Sequence, residues 1–196
     1  LIGKMHFNGY QKLYGFDRRP VLEGNNAGED FYSWGLRTSH DWTDPLPYQA
    51  GSGGVAAELH NAGADVPERA PIFRKDLEVR DFTLAELRRK AADPQPGPWA
   101  MCASFVLPHP PWKARPDILE TYRGLGDLPV NVAGEGRDTC DQYMQHYAGH
   151  PARLSEEVTR TAREVYFSLI TEFDEYLGQI LDVLDETGLS ENTVVF

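Results

Sequence analysis

Apolar residues recur at spacings of three and four between Ser155 and Thr187: Val158, Ala162, Val165, Leu169, Phe173, Leu177, Ile180 and Leu184. That period is the buried stripe of a long amphipathic helix. Ser155 suits its N-cap, Glu156 and Glu157 its positive end, and Gly188 the left-handed position beyond its last turn. A shorter helix is predicted over Asp81–Ala92, with Phe82, Leu84, Ala85 and Leu87 as the apolar side. Arg88, Arg89 and Lys90 face its negative end as a solvated turn, and Asp93-Pro94-Gln95-Pro96-Gly97-Pro98 stops it. Pro116–Tyr122 reads as a helical turn.

Strands show as short apolar runs. Leu1–Phe7 reads as a buried strand, whose two-residue period puts Lys4 and His6 on one face. Trp99–Leu107 is a continuous apolar run bounded by prolines, the pattern of a strand buried on both faces. Asn192–Phe196 begins another. Irregular stretches fill about 8–79 and 108–154, and Gly51-Ser52-Gly53-Gly54 reads as a mobile surface loop, having no strand before it to make it a phosphate cradle. Strand–helix–strand passages of this kind predict an α/β fold, a mostly parallel sheet flanked by helices.

The chain has 196 residues, enough for one sizeable core. Its net charge of -11 argues against a nucleic-acid backbone or an anionic membrane surface as partner. No run of about 18 apolar residues is present, so no membrane span is expected. Both ends fall inside apolar strands, which predicts a central piece of a longer protein and leaves the compartment open. Cys102 and Cys140 have neither metal-ligand nor disulfide-framework spacing, and Cys102 reads as a small core residue.

Candidate chemistry gathers at strand ends. Ligand sites in open α/β sheets lie at the carboxyl ends of strands. Lys4 and His6 lie at one such end, and His109 follows another in Pro108-His109-Pro110-Pro111-Trp112. The prolines restrict the backbone around His109. One ammonium and two imidazoles could thus hold an anion and move a proton. Taken singly, a lysine is usually solvated and a histidine a satisfied surface or core group; convergence at matching strand ends is what favours chemistry. Trp112 and the aromatics Tyr10, Tyr14, Phe16, Phe31, Tyr32, Trp34 and Trp42 could wall a pocket for quaternary ammonium or aryl groups. An equally weighted reading is that they pack a sparse loop. Asp138, Asp141, His146 and His150 are too irregularly spaced to read as a metal site.

Gly3-Lys4-Met5-His6-Phe7, Ser104-Phe105-Val106-Leu107-Pro108-His109-Pro110-Pro111-Trp112, and Tyr166 through Phe173-Asp174-Glu175, Leu177-Gly178, Thr187-Gly188-Leu189 and Asn192-Thr193-Val194-Val195-Phe196 together resemble the type I sulfatases of the alkaline phosphatase superfamily. The Met-His-Phe form of the first motif looks most like choline sulfatases and bacterial arylsulfatase-like enzymes. The resemblance implies the central part of a single sulfatase catalytic domain across 1–196. It also implies a sulfuric ester hydrolase acting on a small-molecule or glycan sulfate ester, and leaves a homo-oligomer open.

In such enzymes a Cys or Ser in a Cys/Ser-x-Pro-x-Arg motif becomes formylglycine, whose hydrate attacks sulfur, and a calcium ion acts as Lewis acid. By the motif match, Lys4 would contact the formylglycine and a sulfate oxygen, and His6 the formylglycine hydroxyl. His109 would bind sulfate near the leaving oxygen. This chain departs from the pattern in ways that matter. Neither cysteine fits the modification motif, no Ser-x-Pro-x-Arg occurs, and the paired N-terminal aspartates and the Ser-Asp-His-Gly segment are missing. Nucleophile and principal calcium ligands are therefore expected outside it, and the chain alone is expected to be inactive. Two rivals stand beside a sulfatase: a phosphonate monoester hydrolase or phosphodiesterase on the same scaffold, and a non-catalytic pseudo-enzyme.

Overall fold

The structure, a computed structural model, describes residues 1–5, 13–21, 59–64, 71–130, 139–140 and 154–196, and of 71–73 the backbone alone. His6, Gly51–Gly54, the aromatics Tyr10, Phe31, Tyr32, Trp34 and Trp42, and the Asp138, Asp141, His146 and His150 group lie outside them. The chain divides into two compact units: Leu1–His40 with Pro71–Leu107 and Phe173–Phe196, and Asp41–Ala70 with Pro108–Glu172.

The first unit is built on a parallel pair. Strand β1 (Ile2–Gly3) lies beside β3 (Ala103–Ser104), with Ile2 opposite Ala103 and Gly3 opposite Ser104. Ile2 donates its N–H to the Cys102 carbonyl and Lys4 to that of Ser104, while Gly3 donates to Val21. β1 is therefore flanked by β3 and by the Val21 segment. The regular ladder is shorter than the apolar runs Leu1–Phe7 and Trp99–Leu107 suggest. Gly3, at φ 102, leaves the extended region and ends the β1 ladder. Met101 through Phe105 are only half-buried, so the second run is not covered on both faces.

Helix α1 covers Pro71–Ala92, beginning ten residues before the predicted Asp81. Its buried face also differs from the predicted one. Asp76, Val79, Thr83 and Leu87 are buried, whereas Phe82 is 47% exposed and Ala85 faces solvent. Thr83 is tolerated inside because its hydroxyl donates to the Val79 carbonyl one turn back at 2.6 Å. Ile2, Val21 and Val79 make one buried cluster with Met101, Ala103 and Phe105 against it. Leu87, Val183 and Leu184 make another.

The second unit holds a parallel pair the apolar pattern does not announce: β2 (Gly63–Ala64) beside β4 (Lys113–Ala114). Two-residue strands in loop-like composition carry no period to read. Helix α2 (Pro116–Tyr122) matches the predicted turn, with Pro116 in its first turn and Ile118 and Leu119 buried.

Helix α3 (Glu156–Glu186) is the long helix of the period, contributing Glu156–Glu172 to the second unit and Phe173–Glu186 to the first. The Ser155 hydroxyl accepts the Val158 N–H at 3.2 Å, and Gly188 takes φ 73, so both predicted caps are in place. Near its start, Glu164 accepts the N–H groups of Gly124 and Gly126, and Arg160 donates to the Gly126 carbonyl. A β-carbon at Gly126 would stand 2.3 Å from the Arg160 carbonyl oxygen, so only glycine fits there. After α3 the chain turns through a 3-10 helix (Leu189–Asn192). Thr193 is extended, but no ladder partner is assigned to 192–196 among the described residues, so the predicted strand is not formed there. Parallel strand pairs with helices between them agree with the α/β expectation.

Candidate active site

Lys4 leaves the carboxyl end of β1 in the first unit. It is half-buried, and its N–H to the Ser104 carbonyl, 3.1 Å, fixes its backbone against β3. The preceding peptide is held from the other side, where Arg19 Nη2 donates to the Gly3 carbonyl at 3.1 Å. The Arg19 guanidinium and the Lys4 backbone are thus held at consecutive positions of this strand end. Arg19 was not visible as a site-lining group in the sequence, because the turn that returns it to β1 has no periodic signature. In that turn Tyr14 (φ 44) and Gly15 (φ 90) both adopt positive φ, and Phe16 N–H bonds the Leu13 carbonyl.

The segment leaving β3 at the same carboxyl edge of the pair is Phe105–Leu107. Asp76 of α1, fully buried, accepts the N–H of Val106 on Oδ1 at 2.7 Å and that of Leu107 on Oδ2 at 2.8 Å. Sequence reasoning missed this carboxylate because α1 was expected to begin after it. The available signal was the polar member of a 76, 79, 83, 87 spacing.

His109 and Trp112 belong to the second unit. His109 is exposed, and its Nδ1 lies 2.6 Å from the Pro110 carbonyl oxygen. A carbonyl only accepts, so Nδ1 carries the proton in that bond and Nε2 is the nitrogen left to hold or release one. Trp112 is half-buried, its ring 5.6 Å from that of Tyr166 on α3 and tilted by 34°. Its carbonyl accepts the Gly63 N–H, tying the His109 turn to the start of β2. Trp112 is therefore at least partly a packing residue. Tyr14, of the aromatics proposed as pocket wall, is 46% exposed.

Among the described residues, no three His, Cys, Asp or Glu side chains are grouped so as to hold a metal ion. By themselves these described residues do not make a calcium site. Cys102 is half-buried and Cys140 exposed. No described helix is long and apolar enough to cross a membrane.

A family model described as Sulfatase matches residues 1–196. A choline-sulfatase of Rhizobium meliloti (strain 1021) is 29% identical over all of this chain and 38% of its own length. A multifunctional alkaline phosphatase superfamily protein, PehA of Trinickia caryophylli, is 31% identical over 50% of the chain and 22% of its own. Mouse (Mus musculus) iduronate 2-sulfatase is 21% identical over 96% of the chain and 37% of its own. The chain thus spans well under half the length of these relatives.

Proposed function

We propose that this chain, which belongs to the sulfatase family, carries the oxyanion-holding and proton-donating side chains of a sulfuric ester hydrolase. The observation supporting this is the parallel register of β1 and β3. From their shared carboxyl edge emerge both Lys4 and the segment that leads to His109, where α/β sheets place their ligands.

Lys4 would neutralise the sulfate oxygens, and by the motif match His6 would hydrogen-bond the formylglycine hydroxyl. His109, protonated on Nε2, would donate to the bridging oxygen as the sulfur–oxygen bond breaks, so that the alcohol leaves neutral. The family resemblance implies a formylglycine and a calcium ion held by residues other than the described ones, whose chemistry when present would be nucleophilic and charge-neutralising. The choline-sulfatase relative makes choline sulfate the first substrate to assay.

A phosphonate monoester or phosphodiester substrate is the second reading: its tetrahedral oxyanion would meet the same donors, and one relative is named for the alkaline phosphatase superfamily. Paired assays of the complete protein on choline sulfate, an aryl sulfate and a phenylphosphonate ester separate the two. Higher kcat/KM on sulfate supports the first reading, higher kcat/KM on phosphorus the second. Turnover of none, with neither Cys nor Ser in a Cys/Ser-x-Pro-x-Arg segment, would mean a pseudo-enzyme.

A further inference from the structure

Asp76 is a carboxylate with no solvent exposure, on a helix face otherwise occupied by Val79, Thr83 and Leu87. Burying a charged carboxylate is unfavourable unless it is well bonded, so its partners matter. They include two consecutive backbone amides, Val106 and Leu107, one on each oxygen, at 2.7 and 2.8 Å. These amides lie beyond the last ladder residue of β3, Ser104. Pro108 has no N–H, so they are the last backbone donors before His109 itself. An ionised carboxylate is the acceptor-only side chain whose two oxygens can take two such donors at once.

We infer that Asp76 is a positioning residue for His109, its carboxylate clamping the chain where it leaves β3 and so setting where the Pro108–His109 segment starts. The inference deepens the proposed function and rests on its reading of His109 as proton donor to the leaving oxygen. Asparagine at this position offers one acceptor and turns an N–H toward the other amide. The clamp would open on one side, and the imidazole would lose its placement without losing its chemistry. Displacement of about an ångström at a reacting group can lower a rate a hundredfold.

The test compares Asp76→Asn, His109→Ala and the double variant with wild type, in the complete protein, on an alkyl sulfate and on nitrophenyl sulfate. The alkyl ester needs a proton on its leaving oxygen; nitrophenolate leaves without one. Asp76→Asn is expected to lower kcat on the alkyl ester by about tenfold to a hundredfold, and on the nitrophenyl ester by less than about threefold. In the double variant the alkyl rate should match that of His109→Ala alone.

Equal loss on both esters, or losses that multiply in the double variant, would assign Asp76 to folding only and overturn the inference. Should Asp76→Asn not yield folded protein, Asp76→Glu keeps both oxygens but shifts them by one methylene, and the same ratio of ester rates decides. An unchanged alkyl rate in His109→Ala would instead remove His109 from the reaction, and the inference with it. A selective loss in His109→Ala beside an unselective one in Asp76→Asn would sink the positioning role alone.

Discussion

Gly3 and Ser104 approach so closely across the β1–β3 pair that a β-carbon on Gly3 would stand 2.0 Å from the Ser104 carbonyl oxygen and 2.8 Å from Val79 Cγ2. The first neighbour is backbone and cannot swing away. With φ at 102, Gly3 also occupies a region that other residues reach only under strain. Gly3→Ala should therefore destabilise the protein by about 2 to 4 kcal/mol, combining backbone strain with overpacking. Urea unfolding of both proteins measures this; equal midpoints would show that the strand shifts at no cost.

Lys4 and His109 carry the proposed chemistry, and each can be removed separately. Lys4→Ala and His109→Ala should each lower turnover of an alkyl sulfate by about a hundredfold or more, as losing an oxyanion donor does elsewhere. Lys4→Arg should restore part of the loss, since charge is kept while shape is not. Steady-state kinetics on folded variants would decide, and rates within about twofold of wild type would remove the residue from the mechanism.

Trp112 and Tyr166 can be tested as packing partners. Their rings should couple by about 0.5 to 1.5 kcal/mol in a double-mutant cycle of unfolding free energies, using Trp112→Ala and Tyr166→Ala. Strictly additive effects would free Trp112 from a packing role and strengthen its case as a substrate wall.

Glu86 gives a pH-dependent contribution. It accepts two bonds from Arg89, at 2.7 and 3.0 Å, and one from Arg18 at 3.3 Å. The Arg89 hydrogen bonds hold its carboxyl below its usual value of about 4.5, against a smaller opposing effect of burial. A carboxyl depressed in the folded state adds stability above its unfolded value and loses it as pH falls through the folded one. Glu86→Gln should thus cost roughly 0.5 to 1 kcal/mol at neutral pH. The gap to wild type should narrow as pH drops below about 4.5; a gap independent of pH would show that charge is not its source.

Long-range order was legible wherever one period ran uninterrupted. The Ser155 cap, the left-handed Gly188 and the α3 helix itself stand as the residues imply, because a helix of that length satisfies its own backbone; of its stripe, Ala162, Val165, Leu169 and Leu184 are buried, while Ser168, Glu172, Tyr176 and Val183 join them on the inner face. The same holds for Pro116 opening α2. Helix α1 was only half legible. Its first ten residues hold Asp76 on the inner face, and a charge in an apolar stripe breaks the pattern that announces a helix. Phe82 misled in the opposite direction, being apolar yet exposed.

By itself the sequence determined the long helix, its caps and the α/β class, and it pointed to Lys4, His6 and His109 by motif, since each depends on neighbours within a few positions or on residue identity alone. Tertiary structure alone decided that Asp76 is buried, that its oxygens meet Val106 and Leu107 thirty residues away, and that Arg19 returns to Gly3. Those contacts join groups whose separation along the chain has no period. The energy that makes them worthwhile, a carboxylate or carbonyl satisfied out of water, exists only once the surrounding core has formed.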